Sequence, residues 1–169
     1  MRNTSLSIAA VLLLCMPGLS AQTNEQHLFA AGGEVQPSVP MTALMLEALK
    51  KDPAYQSIFG DKTPPEGSFS VSPIHLGDST EQDYIVVGRK GLPRVAPDGV
   101  PFWILLPKGA ALDASNFGGT ELEVKESRTS GYRDLELRNS SPNLPLMFVL
   151  LKYDPATKKY ISAGGGMRR

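Results

Sequence analysis

Apolar side chains recur at helical spacing early in the chain, at Met41, Leu44, Met45, Ala48 and Leu49, with Glu47, Lys50 and Lys51 turned to water. Ser38 offers a cap for this helix, and Pro40 fits its first turn, where a missing N–H has no intrahelical partner to lose. Asp52-Pro53 ends or restarts the helix, and residues 53–59 predict a second short piece with Tyr55, Ile58 and Phe59 inward and Gly60 closing it. Pro64-Pro65 and Gly67 then mark a turn.

Beyond Gly67 the period changes to that of strands. Phe69 and Val71 alternate with serines until Pro73 interrupts, as on a sheet edge. Residues 83–88 and 101–106 are β-branched or apolar runs bounded by turn residues, the second carrying the only tryptophan, Trp103. Between them, Gly91, Pro93, Pro97 and Asp98-Gly99 make residues 89–99 a long exposed loop that also holds Arg89 and Arg94. Leu122 and Val124 alternate with Glu121, Glu123 and Lys125, and Leu135 and Leu137 with Asp134, Glu136 and Arg138, so the acids read as the wet side of a sheet. Residues 139–145 read as a polar, proline-bearing connection, 146–153 as a strand apolar on both faces, and Lys159-Tyr160-Ile161 as the closing strand of a hairpin. The pattern predicts an α+β fold: a short N-terminal helical segment packed on a mainly antiparallel sheet of about six or seven strands.

The first residues stand apart from this pattern. Arg2 precedes an unbroken apolar run over 8–16, broken by Pro17-Gly18 just before the small residues Ser20 and Ala21. The run is too short to span a bilayer and reads as a cleaved export signal covering 1–21, which gives a secreted or periplasmic product with no membrane span. Residues 22–37 read as a flexible leader, 38–163 as a single domain, and 164–169, starting with three glycines, as a frayed tail. Removing 21 of 169 residues leaves 148, enough for one ordinary core.

Composition narrows the chemistry. The only cysteine, Cys15, lies in the signal, so the mature chain has no disulfide, thiol nucleophile or cysteine-held metal. With 17 basic and 17 acidic residues in the whole chain, loss of Arg2 leaves a net charge of −1, which provides no general field for nucleic acid.

A set of short motifs carries a resemblance. Leu76-Gly77-Asp78-Ser79-Thr80-Glu81-Gln82-Asp83 leading into an Ile/Val strand, Pro101-Phe102-Trp103-Ile104, Gly131-Tyr132-Arg133-Asp134 and Lys158-Lys159-Tyr160 resemble small exported bacterial proteins that look like single FG-GAP units, the repeats of some β-propellers. The resemblance implies export and a β-rich architecture. In such repeats an acidic turn can hold calcium, but Asp78, Glu81 and Asp83 are not spaced to surround one ion, so no metal or other cofactor is expected. A polar turn in which Asp78 bonds nearby backbone amides is the simpler reading.

Catalytic groups are few. The histidines are His27, in the leader, and His75, beside Pro73 on a strand edge, and neither Gly-x-Ser-x-Gly nor His-Glu-x-x-His occurs. The preferred reading is therefore an exported non-catalytic module that binds a cell-envelope protein or glycan through the 89–99 loop and the 130–134 turn. Its binding residues would be Tyr132, Arg133, Asp134, Arg89, Arg94 and Trp103, although pinning of the turn by Tyr132 and Arg133 and core packing of Trp103 are the structural alternatives. The runner-up is a small envelope hydrolase built on His75 with a carboxylate.

Overall fold

A computed structural model describes residues 25–89, 92, 99–141 and 144–168; the predicted signal, Arg94 and most of the 89–99 loop lie outside them. The order of elements is β1 (Leu28–Ala30), α1 (Ala43–Lys50), α2 (Pro53–Phe59), β2 (Phe69–Ile74), β3 (Asp83–Gly88), β4 (Val100–Lys108), β5 (Ala111–Gly119), β6 (Glu121–Thr129), β7 (Tyr132–Ser141), β8 (Leu144–Asp154) and β9 (Lys159–Arg168). The α+β class holds, but the strands form two antiparallel sheets instead of one: β2-β3-β4-β5 and β1-β6-β7-β8-β9. The first is a meander, β6 to β9 form a second one to which β1 adds an edge, and the chain passes from the first meander to the second at Gly119-Thr120. No side chain fits at Gly119, where a Cβ would stand 2.6 Å from Leu137 Cδ1.

The two sheets enclose the main core. Ile85, Val87, Phe102 and Ile104 of the four-stranded sheet meet Leu122, Val124, Leu135, Leu137 and Leu151 of the five-stranded one. Val86, Trp103 and Leu105 point the other way and pack under the helices with Met45, Leu49 and Tyr55. Burial on both faces explains why β3 and β4 read as continuous apolar runs. The helix layer covers only the four-stranded sheet, and the outer face of the five-stranded sheet has no such layer among the described residues.

Four expectations change. Helix α1 begins later than predicted, with Thr42 as its cap: the Met45 amide donates to Thr42 Oγ1 at 3.2 Å, and Pro40 stays outside. The second helix spans the predicted residues, capped by Asp52. The segment read as a leader supplies β1, which pairs antiparallel with β6 and places Phe29 wholly inside the sandwich. One apolar residue at the right register outweighs the polar composition around it. The segment read as a frayed tail belongs to β9, paired with β8 as far as Arg168.

The glycines that suggested fraying are what β9 needs. A register shift at Leu150/Leu151 is accommodated beside Gly164, whose φ of +143° suits glycine. A Cβ on Gly165 would stand 2.6 Å from the Phe148 carbonyl oxygen, and one on Gly166 3.1 Å from the Phe148 ring. The ring therefore lies over bare backbone, an aromatic cover for strand glycines. The polar 139–145 connection is likewise shorter than expected, since β7 runs to Ser141 and β8 begins at Leu144.

Candidate functional site

Three of the motifs scattered through the sequence, at 76–83, 131–134 and 158–160, meet at one end of the sandwich. The Arg133 amide donates to the Leu76 carbonyl at 2.8 Å, Arg128 Nη1 reaches Asp78 at 2.7 Å, and Gly77 lies against the Tyr132 ring. The Tyr132 ring stacks on Tyr153 at 3.8 Å between centroids, and both stand edge-on to Tyr160, whose hydroxyl donates to the Arg133 carbonyl at 2.6 Å. Asp83, buried beneath, accepts the Leu76 and Gly77 amides on one carboxylate oxygen, at 2.9 and 3.3 Å. Burial pushes its carboxyl above the ordinary value, against these two bonds. The backbone-bonding acid of this turn is thus Asp83, while Asp78 pairs with an arginine instead of with nearby amides. Among the described residues no three His, Cys, Asp or Glu side chains converge to hold a metal.

Arg133 is the centre of this end and is buried. Its Nε donates to the Lys125 carbonyl at 3.0 Å, Nη1 to Glu25 at 2.9 Å, and Nη2 to Glu126 at 2.9 Å and to His27 Nδ1 at 2.8 Å. Arginine only donates, so His27 Nδ1 accepts and its ring carries its proton on Nε2. Three elements are tied by one side chain: β7, the β6 bulge and the segment before β1. Glu25 Oε1 also takes the His75 amide at 2.7 Å. His75 and Glu25 share a cavity of about 150 Å³ with Pro37, Pro73 and Gln82, but the carboxylate meets the backbone of His75.

The other predicted residues are placed apart from this end. Trp103 is wholly buried, and its Nε1–H donates to Asp52 Oδ1 at 3.1 Å, the oxygen that also caps α2 through the Ala54 and Tyr55 amides. No face of the indole is open to a sugar ring. Arg89 Nε donates to Ser70 Oγ at 2.7 Å across β2 and β3. Asp134 is buried on the opposite side of β7 from Leu135 and accepts Ser127 Oγ at 2.8 Å; its Oδ1 has no partner among the described residues.

Asp134 belongs to a second constellation, on the outer face of the five-stranded sheet. Cross-strand register sets Glu123 beside Glu136 and Glu121 beside Arg138, and continues to Leu150 and Phe148 on β8 and to Gly164 and Gly166 on β9. Glu136 is only 4% exposed. Arg138 Nε meets it at 2.8 Å, Arg168 Nη2 at 2.9 Å and Lys125 Nζ at 3.9 Å, and Arg138 and Lys125 also pair with Glu123. Burial, the largest single influence, pushes the Glu136 carboxyl up, but the bond from Arg138 and the charges of Lys125, Arg168 and Arg138 together hold it below the ordinary value. Arg168 also lies 4.6 Å over the Phe148 ring. Leu28 and Ile161 border the array, each 45% exposed.

The alternation in the sequence located this face but not its character. Asp134 and Glu136 were expected to be wet, and both are buried, Glu136 because long cationic side chains from β6, β7 and β9 meet over it. The acid-to-base succession Glu121, Glu123, Lys125 against Asp134, Glu136, Arg138 was the available signal. Its meaning depended on register and on a β9 that the glycines concealed.

No protein-family model, no curated protein and no solved structure matches this chain. Among the described residues no helix is long and apolar enough to cross a membrane.

Proposed function

We propose that the protein is an exported, non-catalytic binding module for a cell-envelope protein or glycan, and that its recognition surface is the outer face of the five-stranded sheet. The apolar run over 8–16 supports export. The observation that carries the binding reading is the ion array of Glu123, Lys125, Arg138 and Arg168 around the buried Glu136, on a face with no covering layer among the described residues. Taking charges out of water offsets most of what their pairing returns, so an array of this kind adds little to stability that apolar side chains would not supply. It does fix a pattern of charge for a partner to read. Phe148, Leu150, Leu28 and Ile161 add apolar contact beside it, the mixture typical of a non-obligate interface.

The 130–134 turn has a different part in this reading. Arg133 holds the sandwich end together, Asp134 lies on the outer face bonded to Ser127, and the rim of that end, with Arg128 and Asp78, meets solvent. Capture from an envelope extract and a screen of envelope glycans test the proposal, using wild-type protein, Ile161→Glu on the outer face and Leu44→Glu on the helix layer. Ile161 and Leu44 are similarly exposed, at 45% and 48%. A partner or glycan retained by wild type and Leu44→Glu but lost with Ile161→Glu is the expected result. Loss with Leu44→Glu alone, or no partner and no glycan for folded wild type, contradicts it.

A further inference from the structure

The edges of the two sheets are not equally protected. In the five-stranded sheet β1 is a three-residue edge. In the four-stranded sheet β2 carries Pro73 and is bridged by Val39 at Val71, and β5 lies where Lys159 Nζ reaches Asp113 at 3.4 Å. Short length, proline and cover are the usual devices that stop an edge from pairing. β9 is less protected: it is ten residues long, has no proline, and all eight residues from 161 to 168 are exposed, its ion pair with β5 being confined to Lys159 and its one irregularity to the register shift beside Gly164. Its span from Ile161 to Met167 is uncharged, and its three glycines leave the backbone accessible.

We propose that β9 is a strand acceptor whose free edge takes an acidic extended segment of a partner protein as a further strand of the five-stranded sheet. This rests on the binding reading above and names the partner's chemistry. Charge selects the occupant. After Asp154 the chain has Lys158, Lys159, Arg168 and Arg169 and no acid, in a protein of formal net charge zero. The uncharged span is therefore flanked by cations at both ends: exposed Lys158 with Lys159, which also reaches Asp113, and exposed Arg168, which also pairs with Glu136. A second copy pairing antiparallel over that span would bring the lysine end of one β9 to the arginine end of the other, twice, so self-pairing meets like charges. An extended segment with carboxylates flanking an uncharged centre meets opposite charges at both ends, while main-chain bonds supply the register.

The test uses a synthetic extended peptide of alternating Thr and Val with Glu at both ends, the same peptide with Lys at both ends, and two versions of the first N-methylated at alternate residues of opposite parity. Binding is read by fluorescence anisotropy on the full mature chain, and amide exchange is followed over residues 161–168. The free edge of a strand uses alternate residues of its partner. The Glu peptide is expected to bind at least tenfold more tightly than the Lys peptide, to slow exchange in β9, and to lose binding with one methylation parity but not the other. Lys158→Glu, at an exposed turn, narrows the Glu-to-Lys preference severalfold. Equal binding of both methylated peptides, no binding of the Glu peptide, or a preference for Lys overturns the proposal. So does a sedimenting dimer that the Glu peptide dissociates, which assigns the edge to a second copy. Failure here, with the loss of a partner by Ile161→Glu intact, leaves the broader binding reading standing.

Discussion

Gly77, in the connection between β2 and β3, touches Tyr132 at the start of β7: a Cβ built on Gly77 would stand 2.8 Å from Tyr132 Cε1, closer than real side chains approach. The tyrosine ring has nowhere to retreat, because Tyr153 is stacked on it. Gly77→Ala is expected to destabilise by about 1–3 kcal/mol, the usual cost of overpacking. Chemical denaturation of a double-mutant cycle with Tyr132→Ala checks the cause, since the penalty of Gly77→Ala should largely vanish once the ring is gone.

Arg133 is expected to be the most sensitive position at that end. Arg133→Met removes the donor from Glu25, His27 and the Lys125 carbonyl together, and breaking a buried pair by deleting one partner costs about 3–5 kcal/mol. Glu126 is 90% exposed, so its share of that loss is small. Hydrogen exchange should report early release of β1, with the Phe29 and Val124 amides losing protection before those of β4. Equal protection in wild type and variant would mean that Arg133 does not hold the N-terminal segment.

The glycines of β9 make an ordered prediction. Gly165→Ala drives a Cβ toward backbone, the Phe148 carbonyl, which cannot move without disturbing β8, whereas Gly166→Ala meets a ring that can tilt. Thermal melts should therefore rank Gly165→Ala as the more damaging, at about 1–3 kcal/mol, and Gly166→Ala as milder. A chain in which both are silent would not have the β8–β9 ladder described here.

The acid limb of stability should carry the signature of Glu136. Its folded pKa lies below the reference value of 4.5, so its contribution is fully present above that value and is lost as pH falls through the folded pKa. The stability difference between wild type and Glu136→Gln should be constant near neutrality and shrink below pH 4.5. Asp83 works in the opposite sense. Its raised pKa gives a contribution that is greatest below the reference value of 3.8 and declines as pH rises through the folded pKa. The paired comparison isolates Glu136 because Asp83 is common to both proteins.

Local chemistry was legible wherever one element settled its own shape. The second helix was readable from Asp52-Pro53 and Gly60, and β3 and β4 from their apolar runs, because caps and continuous burial are written in adjacent residues. β5 was missed: Asp113, Ser115, Asn116 and Gly118 are poor strand formers, and the strand exists because β4 presents a nine-residue ladder to it. β1 and the end of β9 were missed for the same reason. Phe29 is held by a core built a hundred residues later, and Gly164 to Gly166 are held by Phe148.

The candidate site was legible in part. The motif residues 76–83, 131–134 and 158–160 do converge, but mainly to fasten one end of the fold, and Trp103 is fastened to Asp52. Arg133 and His27 are 106 residues apart, a separation no spacing rule could bridge. The ion array of the outer face needed register, since neither Glu136 nor Arg168 shows in sequence that it faces the other.

The most direct test of the recognition face separates its role in binding from any role in folding. The double variant Glu136→Leu/Arg138→Met removes the central Arg138–Glu136 pair with the contacts of Arg138 to Glu121 and Glu123 and of Glu136 to Lys125 and Arg168, leaves net charge unchanged and spares the Lys125–Glu123 pair. Melting temperature and partner or glycan binding are measured on the same preparations. The prediction is an equal or higher melting temperature, as apolar replacement of a buried pair often gives, together with loss of binding. A stable variant that binds as wild type does would contradict the assignment of this face.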